Sequence, residues 1–174
     1  MNSTLTNWNT APERTALEAM LACCGATRWA TFMIGARPVS TPGSLYVTAD
    51  TIWSQMQEPD WLEAFACHPR IGSRKPAEHA STQSASQFAD WSKQEQSSTQ
   101  TATEQILARL AALNAQYEEQ FGFTYIICAT GKSANEMLAI LERRLASDRT
   151  TELTEAAEQQ RQITHIRLKK WLAE

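Results

Sequence analysis

The run Trp61-Leu-Glu-Ala-Phe-Ala-Cys-His-Pro-Arg-Ile-Gly72 sets His68 immediately before Pro69, where a helical pattern stops and the chain turns away through Gly72. A histidine at such a break has its backbone held by the turn. Its side chain can be aimed into a pocket while its charge stays tunable near neutral pH. General acid or base chemistry suits that arrangement, and the plain alternative is a packing or surface histidine. His79, in a polar stretch, and His165, close to Arg167, read as surface residues. Cys67 adjoins His68, but adjacent helix residues diverge by about 100° and form no nucleophile pair, so a buried apolar role fits it better. Cys23, Cys24, Cys67 and Cys128 lack a CxxC pair with a matching His or Cys set. No metal site and no redox motif is expected from them, and reduced thiols are.

The elements that must carry these residues are helical. From Thr101 to Phe121, Ile106, Leu110, Leu113 and Tyr117 recur at helical steps and draw one apolar stripe. Thr101 with Glu104 has the form of a capping box, and Gly122 can take the left-handed conformation that ends a helix. Ser133 with Glu136 starts a second helix through Met137, Leu138, Leu141 and Leu145. A long terminal helix is expected from about Thr151 to Leu172, closing in the basic turn Lys169-Lys170, which suits the negative end of the helix dipole. Ala11 to Cys24 and Trp53 to Phe65 also read as helices, the latter broken near Glu58-Pro59-Asp60 with Asp60 as a fresh N-cap. The one strand-like run, residues 123–129, has no partner strand, so the expected fold is all-α, a multi-helix bundle with a short extended segment there. Residues 72–86 are too polar to pack and read as a surface loop.

The 174 residues fit a single domain. With 43% hydrophobic and 20% charged residues and a formal net charge of -3, the composition is that of a globular protein. Scattered Lys and Arg give no basic face for nucleic acid. No signal sequence or run of about 18 apolar residues is present, and the ending Trp171-Leu-Ala-Glu174 is not a peroxisomal address, so neither secretion nor a membrane is expected and the cytoplasm is.

With its surroundings, the His68 segment resembles the HPRIG signature of the OHCU decarboxylase family, the 2-oxo-4-hydroxy-4-carboxy-5-ureidoimidazoline decarboxylases. Cys24-Gly25, Trp29, Arg37-Pro38 and the lead-in Asp60-Trp61-Leu-Glu-Ala-Phe65 are similar to family positions. Ser92-Lys93-Gln94-Glu95-Gln96 resembles the SxxEQ motif. Leu113-Asn114 with Tyr117, Phe121-Gly-Phe-Thr-Tyr-Ile-Ile-Cys128 and Arg167-Leu168 resemble later motifs in the same order. Thr124 stands where the family's FGFPF run has proline, and the loop from Gly72 to Ser92 is longer than the common form.

The resemblance implies decarboxylation of OHCU to (S)-allantoin in urate breakdown, without a cofactor. This substrate carries a carboxylate and a hydroxyl on one ring carbon beside a C=N bond, and that bond can accept the electron pair CO2 leaves behind. By the same implication His68 donates the proton. Glu95 lies near the imidazole or the substrate hydroxyl, and Arg167 binds the substrate carboxylate or a ring oxygen. Ser92, Lys93, Gln94, Glu95 and Gln96 form one binding segment. The backbone of Ile127, Cys128, Ala129, Thr130 and Gly131 reads the ring, Pro69 shapes the pocket, and the protein is a homodimer. Two other classes compete: a metal-dependent hydrolase using His68, His79 and Glu95, and a helical interaction module suggested by amphipathic helices and six tryptophans.

Overall fold

A computed structural model describes residues 2–72 and 83–174. The described chain is all-α. In order it forms α1 (Ser3–Thr10), α2 (Glu13–Cys23), α3 (Thr27–Gly35), α4 (Pro42–Trp53), α5 (Glu58–Ala66), α6 (Gln83–Glu95), a 3-10 turn (Ser97–Thr101), α7 (Glu104–Phe121), α8 (Ala134–Arg144) and α9 (Arg149–Trp171). No strand occurs among the described residues, and 124–129 run as extended backbone between α7 and α8.

Of the expected stripe on α7, Leu110, Leu113 and Tyr117 are buried and Ile106 is half-buried, and Phe121 joins them in the core. Gly122 ends that helix at φ 82°, a left-handed conformation in which a side chain would be strained. Its start differs from the expectation. Thr101 closes the 3-10 turn, and Thr103 caps the helix by accepting from Ile106 N at 3.4 Å. The Ser133–Glu136 capping box forms as read. So does the basic last turn of α9, although Asp148 caps that helix and it begins two residues earlier than expected. The break at Pro59 is the first turn of α5, where proline needs no amide hydrogen. There Gln57 is the cap and Asp60 the third helical residue, accepting from Gln57 N at 2.9 Å. The stretch read as a loop is a correction in part: residues 73–82, with His79, lie outside the described residues, and Gln83 to Ser86 open α6.

α9 is the axis on which the rest is assembled. It packs against α2, α4, α5 and α7, and it buries side chains around much of its circumference, including the polar Glu152, Gln160, Thr164 and Arg167. Buried polar groups are tolerated only when hydrogen-bonded, so these positions commit α9 to specific neighbours in a way that apolar residues would not. One further close approach locks the end of α5. A Cβ at Gly25 would stand 2.4 Å from Cys67 Sγ, so only glycine lets the α2–α3 corner touch the turn that carries His68.

Candidate active site

Four elements converge on one pocket of about 280 Å³, a volume that includes its open mouth. The turn after α5 supplies His68, Pro69 and Ile71. The end of α6 supplies Glu95 and Gln96, the extended segment Tyr125 to Ile127 with Ala129, and α9 supplies Ile163. His68 and Glu95 thus share a cavity, as expected, though far apart in sequence.

The turn is fixed from three sides. His68 N donates to Phe65 O at 3.0 Å. Gln96 bridges the turn, accepting from Gly72 N at 3.2 Å through Oε1 and donating to Pro69 O at 3.4 Å through Nε2. Asn114 Nδ2 donates to Ile71 O at 3.1 Å. The extended wall is held likewise: Arg144 Nη1 donates to Ile126 O at 2.7 Å, Cys128 N donates to Gln159 Oε1 at 2.9 Å, and Lys132 Nζ donates to Cys128 O at 2.7 Å.

The charged part lies between α6 and α9. Arg167 is fully buried and Glu95 is 7% exposed. Arg167 Nε donates to Glu95 Oε1 at 3.0 Å and Nη2 to Glu95 Oε2 at 2.9 Å, a fork onto both carboxylate oxygens. Nη2 also donates to Ser92 Oγ at 2.9 Å. The buried Nη1 has no hydrogen-bond partner among the described residues. Phe88 roofs the group, its ring 3.8 Å from the guanidinium carbon and 4.9 Å, edge-on, from the His68 ring.

His68 Nε2 stands 2.8 Å from Gln160 Oε1. Burial first, and the nearby Arg167 cation second, push the imidazole down from its ordinary 6.5 to about 3, against a smaller upward pull from Gln160. The ring is neutral at physiological pH. Burial also pushes the Cys24 thiol up to about 12 and raises Cys128, so neither is a ready nucleophile.

Several positions stand differently from the expectation. Glu95 directs both oxygens at Arg167, and His68 takes Gln160 as its partner. Ser92 and Gln96, expected in the binding segment, are engaged with Arg167 and with the turn. Lys93, Gln94, Thr130 and Gly131 are exposed. Of the backbone run, Ile127 and Ala129 line the pocket, and Cys128 spends its N–H and C=O on Gln159 and Lys132. Gln160 was not anticipated: a glutamine in a polar helical stretch reads as solvent-facing, and only its burial beside His68 singles it out. Among the described residues no group of three His, Cys, Asp or Glu side chains is placed to hold a metal.

A neutral imidazole, a carboxylate held by a buried arginine, and a small half-open pocket with partly apolar walls define the class first: a helical protein with a candidate acid–base site. The OHCU decarboxylase family model matches residues 9–169. The chain belongs to that family. It is 37% identical to the uric acid degradation bifunctional protein TTL of Arabidopsis thaliana over 149 residues, which is 85% of this chain and 44% of the plant protein. It is 41% identical over 61 residues, 35% of each chain, to the 2-oxo-4-hydroxy-4-carboxy-5-ureidoimidazoline decarboxylase of Amia calva. A crystal structure of OHCU decarboxylase in the presence of (S)-allantoin superposes with a TM-score of 0.76 at 33% identity, covering 90% of this chain and 99% of that one. An (S)-allantoin synthase structure, 18% identical with a TM-score of 0.70 over 96% of this chain and 53% of its own, shares the fold. The chain spans less than half of the bifunctional plant protein it matches.

Proposed function

We propose that the protein removes CO2 from OHCU and releases (S)-allantoin. The observation that carries this reading is the enclosure of His68 and Glu95 in one pocket, with Arg167 gripping the carboxylate. When the bond to the carboxylate breaks, its electron pair joins the two ring carbons and the C=N pair moves onto the ring nitrogen, which takes a proton from water. The enol left behind must lose its hydroxyl proton and gain one on the ureido-bearing carbon. A neutral His68 fits both steps: it accepts the hydroxyl proton, becomes imidazolium, and returns the proton to the neighbouring carbon on one face. His68 is then the donor that the family resemblance implies, loaded by the substrate itself.

Each Glu95 oxygen keeps a second lone pair beyond its bond to Arg167, and one of them holds the substrate hydroxyl before CO2 leaves; the hydrogen then turns to His68, which takes it. Arg167 orients that carboxylate from behind the pocket wall and supplies the positive charge beside it. Ser92 and Gln96 act through the neighbours they hold, and Pro69, Ile127 and Ala129 shape the walls. Lys93, Gln94, Thr130 and Gly131, exposed and outside the pocket lining, take no part in the proton transfers of this reading. The reading includes a one-domain chain working in the cytoplasm as a homodimer without metal or nucleic acid, and no described helix is long and apolar enough to cross a membrane.

The test is His68→Ala on freshly generated OHCU, followed by chiral chromatography of allantoin. We expect loss of the acceleration by about 10²- to 10⁴-fold and a racemic product with the helical spectrum unchanged. Undiminished, enantioselective turnover removes His68 from the reaction. Activity abolished by a chelator and restored by a metal ion favours the hydrolase-type metal site instead.

A further inference from the structure

We propose that Gln160 is a positioning residue that fixes His68 as the tautomer protonated on Nε2, so that Nδ1 alone carries both proton transfers. Thr164 sets the direction of the Gln160 amide. Its hydroxyl donates to Gln160 O, one helical turn back, at 3.0 Å. Having spent its hydrogen there, Thr164 Oγ1 can only accept from the Gln160 side chain, which it meets at 3.2 Å through Nε2. The amide nitrogen is therefore turned toward Thr164 and the amide oxygen toward His68. An oxygen accepts and does not donate, so His68 Nε2, at 2.8 Å, must hold the hydrogen.

Both Gln160 and Thr164 are buried, at 0% and 4% exposure, so water does not compete for these bonds. His68 Nδ1 has no hydrogen-bond partner among the described residues, while the residue lines the pocket. Arg167 and Gln160 from α9 act on the ring, Phe88 from α6 meets it edge-on, and Glu95 and Tyr125 line the same pocket, with Lys170 Nζ 3.8 Å from Glu95 Oε1. Arg167 and Glu95 are paired with each other. In the reaction proposed above, on which the catalytic half of this inference rests, the hydroxyl to be deprotonated and the carbon to be protonated are on adjacent ring atoms. One bare nitrogen can serve both, and a second is better tied down than free.

The experiment is nitrogen NMR of protein labelled with 15N-histidine, with the His68 signals assigned by their loss in His68→Gln. Near neutral pH we expect a neutral ring with the proton on Nε2. A proton on Nδ1, an averaged pair of tautomers or an imidazolium overturns the assignment whatever the activity. Gln160→Met, which keeps the length and removes the acceptor, is expected to release the ring into mixed tautomers. It should lower kcat by about 10- to 100-fold with a smaller change in KM, the scale seen when a partner that orients a histidine is removed. Gln160→Glu keeps an acceptor oxygen at the same reach. It should retain the Nε2 proton, recover part of the lost rate, and move the acid limb of the kcat/KM profile to higher pH, because an anion beside the ring favours imidazolium. Equal rates and an unmoved acid limb in both variants refute a positioning role. If the wild type shows the Nε2 proton but does not accelerate allantoin formation, the decarboxylase reading fails and the tautomer assignment stands.

Discussion

Arg144 with Glu152 and Arg167 with Glu95 are both buried arginine–glutamate pairs between helices, and each has an aromatic ring on the guanidinium: Tyr125 at 4.9 Å and Phe88 at 3.8 Å. The first is closed. Arg144 uses Nε and Nη2 on Glu152, Nη1 on Ile126 O and Nη2 again on the Tyr117 hydroxyl, which itself donates to Glu152. The second is left open, with Nη1 of a fully buried arginine unpartnered among the described residues and a half-enclosed cavity next to its glutamate. An unmet buried donor costs about 1–3 kcal/mol. The fold meets this need at Arg144 and, among the described residues, leaves it unmet at Arg167, and only the second pair adjoins the pocket that His68 lines.

The same substitution in both pairs puts this contrast under test. Glu152→Gln leaves Arg144 buried without its counter-charge and is expected to lose roughly 3–5 kcal/mol of stability, read as a lowered denaturation midpoint, with normal turnover in the molecules that remain folded. Glu95→Gln should reverse the pattern, with kcat/KM falling about 10²-fold and a smaller shift of midpoint. Equal stability losses at the two positions would break the comparison.

Acid sharpens it further. Because the folded-state value of His68 lies near 3 against 6.5 for an ordinary histidine, the unfolded chain binds more protons between those limits. The stability held by the neutral ring is complete above about pH 6.5 and is lost as pH falls toward 3. His68→Asn should flatten that part of the stability curve, whereas Glu152→Gln should not. Next in size is Gly25→Ala, whose Cβ overlaps Cys67 Sγ; a loss of about 1–3 kcal/mol is expected, partly restored by adding Cys67→Ala. The smallest is Thr41→Ala, which removes the side-chain cap of α4 and a residue bonded to neither pair. It should cost about 1 kcal/mol with no change in rate.

What could be read beforehand followed local rules. The stripe from Leu110 to Tyr117, the stop at Gly122 and the Ser133 cap are written in neighbouring residues, and the molecule obeys them. α1, α3 and α4 went unread because their apolar spacing is mixed with Ser, Thr and Asn, and they are held by long-range bonds such as Trp29 Nε1 to Ala49 O at 3.1 Å. The family resemblance brought His68, Glu95, Ser92 and Arg167 into view, but their pairing was not legible. Which carboxylate oxygen meets which guanidinium nitrogen depends on the register between α6 and α9, and Gln160 meets His68 across 92 residues. The Thr124 substitution is accommodated where it stands, half-buried between Phe123 and Tyr125, without interrupting the extended wall.

Gln160, Ile163, Thr164 and Arg167 recur at three, four and seven along α9, one edge of a single cylinder. That layout makes the chemistry far more sensitive to the length of this helix than to its composition. Deleting any one residue between 160 and 167 would swing the guanidinium about 100° away from the imidazole's clamp. A substitution here removes one contact, whereas an insertion or deletion misaligns all four at once.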